Sequence, residues 1–343
     1  MKQKHYVLAA AAVIAITGCQ TSQPEGAQPQ STTHLSQGVY EVEFTSAHAF
    51  KNKSAKLAKS VSGYCASNSD LNMVKEQWHQ TMLAWMALQG QERGPEAALA
   101  QSWNIQFWPD KKNTTGRKMS SLIKQPKVWT QQDIALQSVT VQGLGSIEWL
   151  LYDKASNLTG NPQTCETAQA ISANIELNAG KIAQAWVTNP WVGLDEKQWE
   201  SEYIALLSNQ LEYSMKKMSR PLANFGKPRP YFAESWRSET SMQNLKANVE
   251  AMQALYFANG KGLDALLRDK GKATLADSIS NQFAMTVETW PSDESLFDML
   301  QTKQGYQKAY SQYNKLEQLK YLIHEEVAIE LGVIIGFNAT DGD

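Results

Sequence analysis

The tightest constraint on this chain is the spacing of its large apolar residues, which recur every three or four positions along most of its length. Val74, Trp78, Met82 and Trp85 share one helical face; so do Ile171, Ile175, Ile182 and Trp186. The same stripe continues in Leu207, Leu211, Met215, Met218 and Leu222, and again in Met242, Leu245, Val249, Met252 and Tyr256. No segment alternates apolar and polar residues with β-branched enrichment, so the spacing predicts an all-α fold. Asp70 is placed to cap the helix that follows it, while Asn189-Pro190, Lys227-Pro228-Arg229-Pro230 and Trp290-Pro291 break or redirect the chain. Helices of about 20–30 residues suit packed bundles. The divide is expected near Asn189-Pro190, giving one helical bundle over residues 38–190 and a second over 191–343.

The first residues have a different character. Lys2 and Lys4 precede an apolar run from Tyr6 to Ile16, and the small pair Thr17 and Gly18 stands before Cys19. This is the zoning of an export signal, too short to span a bilayer stably. Ile16-Thr17-Gly18-Cys19 resembles the lipobox of bacterial lipoproteins, in which the cysteine receives a diacylglyceryl group and becomes the new N-terminus. The expectation is a signal peptide over 1–18, a lipidated Cys19, and a flexible tether to residue 37 built from Gln, Ser, Thr, Pro and Gly. Such a tether has an end-to-end distance of roughly 25 Å. Gln20, where an Asp would favour the inner membrane, implies by resemblance an outer-membrane lipoprotein of the periplasm.

Without Lys2 and Lys4 the chain carries 30 basic and 34 acidic residues, a net charge of −4. That argues against nucleic acid as a partner and leaves the lipid anchor as the contact with the membrane. Cys65 and Cys165 are the only other cysteines. In an oxidising compartment they form one disulfide or remain two buried thiols, and the compartment favours the bridge. Eleven Trp and twelve Tyr are either packing anchors or the lining of a groove for a sugar or a haem. Their helical spacing favours packing.

Four segments depart from generic helix: Phe107-Trp108-Pro109-Asp110 followed by Arg117; the run from Gly143 through Gly145 and Glu148 to Asp153; Arg237-Ser238-Glu239-Thr240-Ser241; and the tail Gly336 to Asp343, with Asn338, Asp341 and Asp343. In that order, within a helical lipoprotein, they make the chain resemble the imelysin-like family, which also carries a peptidase M75 label. The resemblance spans most of the mature chain. It implies a two-domain helical-bundle protein of the bacterial envelope, linked to iron supply, with a functional patch between the domains. The family's Gly-x-His-x-x-Glu signature implies a metal site in members described as zinc peptidases. Here its positions are Gly143, Gly145 and Glu148, so the histidine is replaced by a residue that cannot ligate.

Glu148 lies among Leu144, Ile147, Leu151 and Tyr152 at helical spacing, which predicts burial. A buried carboxylate needs an ion-pair partner, a metal or a raised pKa. Arg117 and Arg237 are the candidate partners, and a ligand or metal is the alternative. Ser238, Thr240 and Ser241 have the composition of a helix N-cap ahead of Met242; with Arg237 beside them they could also form an anion site. Asp341, Asp343 and the terminal carboxylate concentrate hard oxygen ligands suited to iron or another divalent ion. Glu76 and His79 lack a second Glu-x-x-His copy, and a zincin pattern opening at His324-Glu325 fails at Ala328. No phosphate-binding glycine loop and no Gly-x-Ser-x-Gly elbow occurs.

The leading expectation is a non-catalytic envelope lipoprotein that binds a ligand or partner in bacterial iron acquisition, at the interface of two bundles. The alternatives are a zinc-dependent endopeptidase and a sugar- or haem-binding module.

Overall fold

The computed structural model describes residues 28–67, 70–224 and 226–333, and these form a helical protein. Among the described residues the only β contact is an isolated bridge between Asn224 and Lys227. The longer helices among the described residues are α1 (Gln37–Cys65), α2 (Leu71–Met86), α3 (Thr114–Leu122), α4 (Leu144–Tyr152), α5 (Pro162–Ala185), α6 (Glu196–Leu222), α7 (Ser241–Phe257), α8 (Ala273–Glu288) and α9 (Lys303–Lys320). Shorter turns of helix join them.

The ends of these helices follow from their sequences. Asp70 accepts from the backbone N–H of Met73 at 3.0 Å, as its position before α2 predicts. Asn161 caps α5, whose first residue is Pro162, a position where the missing N–H costs nothing. Asp195 and Gln198 exchange side-chain and backbone bonds in a capping box that opens α6. At the other end of α6, Pro221 sits in the last turn and Ala223 turns to φ +49°, stopping the helix.

Every apolar stripe read from the spacing is buried, from Val74 to Trp85 on α2 through Met242 to Tyr256 on α7. Each large side chain taken fully out of water contributes about 1.5–3 kcal/mol, which is what holds amphipathic helices of modest propensity together. α1 packs lengthwise against α2 and α5, while α6 packs against α7 and α9 and α8 lies against α9. The two sets meet where α2 contacts α7, and where α1 passes the turn after α7. At that turn a Cβ on Gly38 would stand 2.6 Å from Lys261 Cβ, so only glycine allows the approach. One continuous apolar cluster runs through both sets. Trp186, Trp191, Trp199 and Tyr203 form a file of rings with successive centroids 5.4, 5.2 and 5.1 Å apart, which carries the core past Asn189-Pro190.

Cys65 and Cys165 are disulfide-bonded, tying the last residue of α1 to the first turn of α5. Residues 28–36, expected as the end of the tether, are instead seated on the fold. Gln30 N–H donates to the Tyr40 hydroxyl at 3.1 Å, the Asn189 N–H donates to Gln30 Oε1 at 3.1 Å, and His34 Nε2 meets Leu194 O at 2.9 Å. These polar residues find partners on α1 and beside the α5–α6 connection, which composition alone does not reveal. Cys19 and the signal segment lie outside the described residues, as do Asn338, Asp341 and Asp343 of the tail. Among the described residues no helix is long and apolar enough to cross a membrane.

Candidate functional site

α4 is short and almost wholly buried, and its first turn fixes the site. Gly143 is its N-cap residue; a Cβ there would fall 2.1 Å from the carbonyl oxygen of Ile105, so the backbones of the two segments meet only because the side chain is absent. Trp78 of α2 donates its indole N–H to Leu144 O at 3.0 Å, and the Ser146 hydroxyl donates to Thr140 O at 3.1 Å. One turn further, Glu148 is 5% exposed and faces a cavity of about 310 Å³.

The carboxylate of Glu148 is met from the other half of the chain. Ser238 donates its backbone N–H to Glu148 Oε1 at 3.0 Å and its hydroxyl to the same oxygen at 2.9 Å. Burial pushes the Glu148 carboxyl above the ordinary value, while the Ser238 N–H and the nearby Arg237 charge oppose that shift and Glu234 adds to it. Arg237 itself bonds elsewhere: its Nε donates to Asp153 Oδ2 at 3.1 Å, a terminal N–H donates to Asn113 Oδ1 at 2.7 Å, and the guanidinium lies 4.3 Å from the centroid of Trp236. The expected arginine contact with Glu148 is thus electrostatic from Arg237, with the direct bonds made by Ser238.

Beneath the same wall sits a buried ion pair. Lys217, on the polar edge of the apolar stripe of α6, is 1% exposed and its ammonium is 2.5 Å from Glu234 Oε1. Gln106 Nε2 donates to that oxygen at 2.6 Å and Gln89 Nε2 at 3.1 Å, while Lys217 also donates to Gln89 Oε1. Burial lowers the Lys217 pKa and Glu234 counters it. Gln106 in turn accepts from the Trp85 indole at 3.0 Å, which fixes the orientation of its amide. Glu234 lines the cavity together with Gln106, Trp108, Gly145 and Trp236.

A family model for imelysin matches residues 44–323. The chain belongs to the imelysin family. Among solved structures, an imelysin-like protein from Psychrobacter arcticum 273-4 shares 18% identity and superposes with a TM-score of 0.72 over 88% of this chain and 96% of that one. A protein from Parabacteroides distasonis ATCC 8503 with the provisional name iron-regulated protein A precursor shares 15% identity, with a TM-score of 0.64 over 88% of this chain and 97% of that one. At these identities the likeness is one of fold. A comparison with curated proteins found no match.

The imelysin signature and the segments around it converge in part. Trp108, Asp110, Gly145, Glu148 and Arg237 all line the one cavity, and Ser238 supports it by holding Glu148. Asp110 accepts from the backbone N–H groups of Thr114 at 2.5 Å and Thr115 at 2.9 Å, which satisfies the free donors at the start of α3. Arg117 stands apart: it is exposed, and its guanidinium makes a 3.5 Å contact with the Thr114 hydroxyl. Ser241 is buried and accepts from Leu296 N–H at 2.8 Å, pinning the loop before Leu296 to α7. The N-cap expected of these hydroxyls does not form, because Thr240 makes no capping bond and Ser238 is spent on Glu148.

The metal that the imelysin signature implies does not fit this donor set. Gly145 offers no side chain, and a Cβ built there meets nothing within 4 Å, so the position opens onto the cavity. Glu148 Oε1 already accepts two bonds. Among the described residues no three His, Cys, Asp or Glu side chains are grouped to hold a metal ion. Glu234, Lys217, Gln89 and Gln106 belong to none of the four segments that depart from generic helix. Their one mark in the sequence is a lysine beside a long apolar helical stripe, which is also what a solvent-facing lysine looks like.

Proposed function

We propose that this imelysin-family chain is a non-catalytic lipoprotein of the bacterial envelope, anchored through Cys19 and facing the periplasm, that binds a small ligand in iron acquisition. The binding place is the cavity beside Glu148 and Glu234, bounded by residues from both halves of the chain. The single observation that carries this reading is the Glu148–Ser238 contact: a buried carboxylate is held in fixed geometry on a cavity wall, with open space at Gly145 beside it. Rigid polar groups on an apolar cavity are what orient a ligand. The provisional name of the Parabacteroides distasonis neighbour supports the link to iron.

A strain lacking the protein is expected to grow more slowly under iron chelation, and Glu148→Gln is expected to fail to restore growth while accumulating normally. Full restoration by Glu148→Gln would remove the cavity from the function. The same purified protein, kept from chelators, is expected to cleave no peptide; cleavage that chelators abolish and that depends on Glu148 would restore the endopeptidase reading. Cys19→Ser is expected to release the protein from the membrane fraction without lipid label. Membrane retention of the cleaved variant would refute the anchor.

A further inference from the structure

Glu234 leaves one carboxylate oxygen unanswered. Its Oε1 accepts from Lys217, Gln106 and Gln89, whereas Oε2 is buried with no hydrogen-bond partner. A buried acceptor left unpaired costs about 1–3 kcal/mol, and this one belongs to a residue of the cavity lining. Glu148, on the same cavity, takes both Ser238 bonds on Oε1. The charges can be counted locally: Glu148 and Glu234 bring two negatives, Lys217 returns one, and Arg237 is matched by Asp153. Glu148 is left with no cation bonded to it, and Asp110, Lys111 and Lys112 are the more exposed charges of the same lining. Around it stand the rings of Trp108, Phe232 and Trp236.

We propose that the cavity takes a small organic monocation, a primary ammonium whose N–H donors reach Glu148 and Glu234 while its apolar body lies against Trp108, Phe232 and Trp236. The proposal rests on the cavity being the ligand site and names the chemistry of what enters it. An ammonium supplies several donors and one positive charge, which is what two carboxylates beside one lysine leave unmatched. Aromatic faces add cation–π attraction. A divalent metal lacks a third side-chain ligand here. Lys111 and Lys112 are exposed at the cavity and oppose each positive charge that enters, so a polyamine is disfavoured more than a single ammonium. The volume of about 310 Å³ lies at the small end of ligand sites, which run from roughly 300 to 1,000 Å³.

Calorimetric titration of the mature protein with phenethylamine, 2-phenylethanol, phenylacetate and spermidine separates the possibilities. Phenethylamine is expected to bind at least about tenfold more tightly than its neutral isostere 2-phenylethanol, and phenylacetate and spermidine more weakly still. Glu148→Gln, which keeps an acceptor for Ser238, is expected to weaken phenethylamine about tenfold without changing the thermal midpoint greatly. The double change Lys217→Met with Glu234→Gln removes the second carboxylate without stranding the lysine, and is expected to act the same way. Equal affinity for phenethylamine and 2-phenylethanol, no binding of phenethylamine, or full affinity in both variants would overturn the ammonium assignment. Gly145→Phe fills the open space and separates the two levels. If it blocks probes that bind without regard to charge, the cavity stands and the ammonium falls; if it leaves their binding unaltered, both fall.

Discussion

Ser238 places two donors, its N–H at 3.0 Å and its hydroxyl at 2.9 Å, on a single oxygen of Glu148, a residue ninety positions earlier in the chain. The contact joins α4 to the segment that leads into α7, and it puts the one carboxylate of α4 under the control of the opposite half of the protein. Removing the hydroxyl with Ser238→Ala leaves the backbone donor in place. The expected cost is about 1.5–3 kcal/mol in urea unfolding, the range for hydrogen bonds to charged groups. Glu148→Ala is expected to cost more, because it leaves the Ser238 N–H unpaired and opens space in a packed wall. Equal stability of wild type and both variants would show that the contact does not bear on folding.

Lys217 and Glu234 are expected to behave as a coupled pair. Lys217→Met alone strands a buried carboxylate and is expected to cost about 3–5 kcal/mol. Combining it with Glu234→Gln is expected to recover most of that loss, since an apolar side chain and a neutral amide need no charge compensation. A double-mutant cycle with no coupling would contradict the buried pair.

Glu43 gives the protein a pH dependence of a definite sign. It is fully buried on α1, Gln91 donates to its Oε1 at 2.6 Å, its Oε2 has no partner, and burial raises its pKa from 4.5 to about 8. Between those values the folded state holds a proton that the unfolded state has released. Its contribution is therefore complete below the unfolded value of 4.5 and is lost as pH rises through about 8. Glu43→Gln, which is neutral throughout, is expected to flatten this slope, by up to a few kcal/mol between the two ends of the window. An unchanged slope of unfolding free energy against pH would exclude Glu43 as its source.

The Cys65–Cys165 bridge spans 100 positions of sequence. Closing a loop of that size restricts the unfolded chain by about 4.7 kcal/mol in the entropic account, and native bridges commonly contribute 2–5 kcal/mol. Cys65→Ser with Cys165→Ser is expected to lower the urea midpoint accordingly while preserving the helical circular dichroism signal. Thiol titration of the denatured, unreduced protein is expected to find neither cysteine free.

The spacing of apolar residues determined the helices, because a helix is a local object: Val74, Trp78, Met82 and Trp85 share a face by geometry alone, and all four are buried. Asp70 as a cap and Glu148 as a buried carboxylate were legible for the same reason. Tertiary structure decided what those groups meet. Nothing near Glu148 in sequence indicates Ser238, and nothing near Arg237 indicates Asp153 and Asn113, since partners 84 to 124 positions apart are brought together only by the way α4 and α7 pack across α2. Lys217 shows the limit most clearly. Its neighbours in sequence are those of a surface lysine, and only the convergence of Gln89, Gln106 and Glu234 on the interior side of α6 turns it into half of a buried pair. A local pattern fixes which face of a helix is apolar; the identity of the group that answers a buried charge is a property of the packed whole.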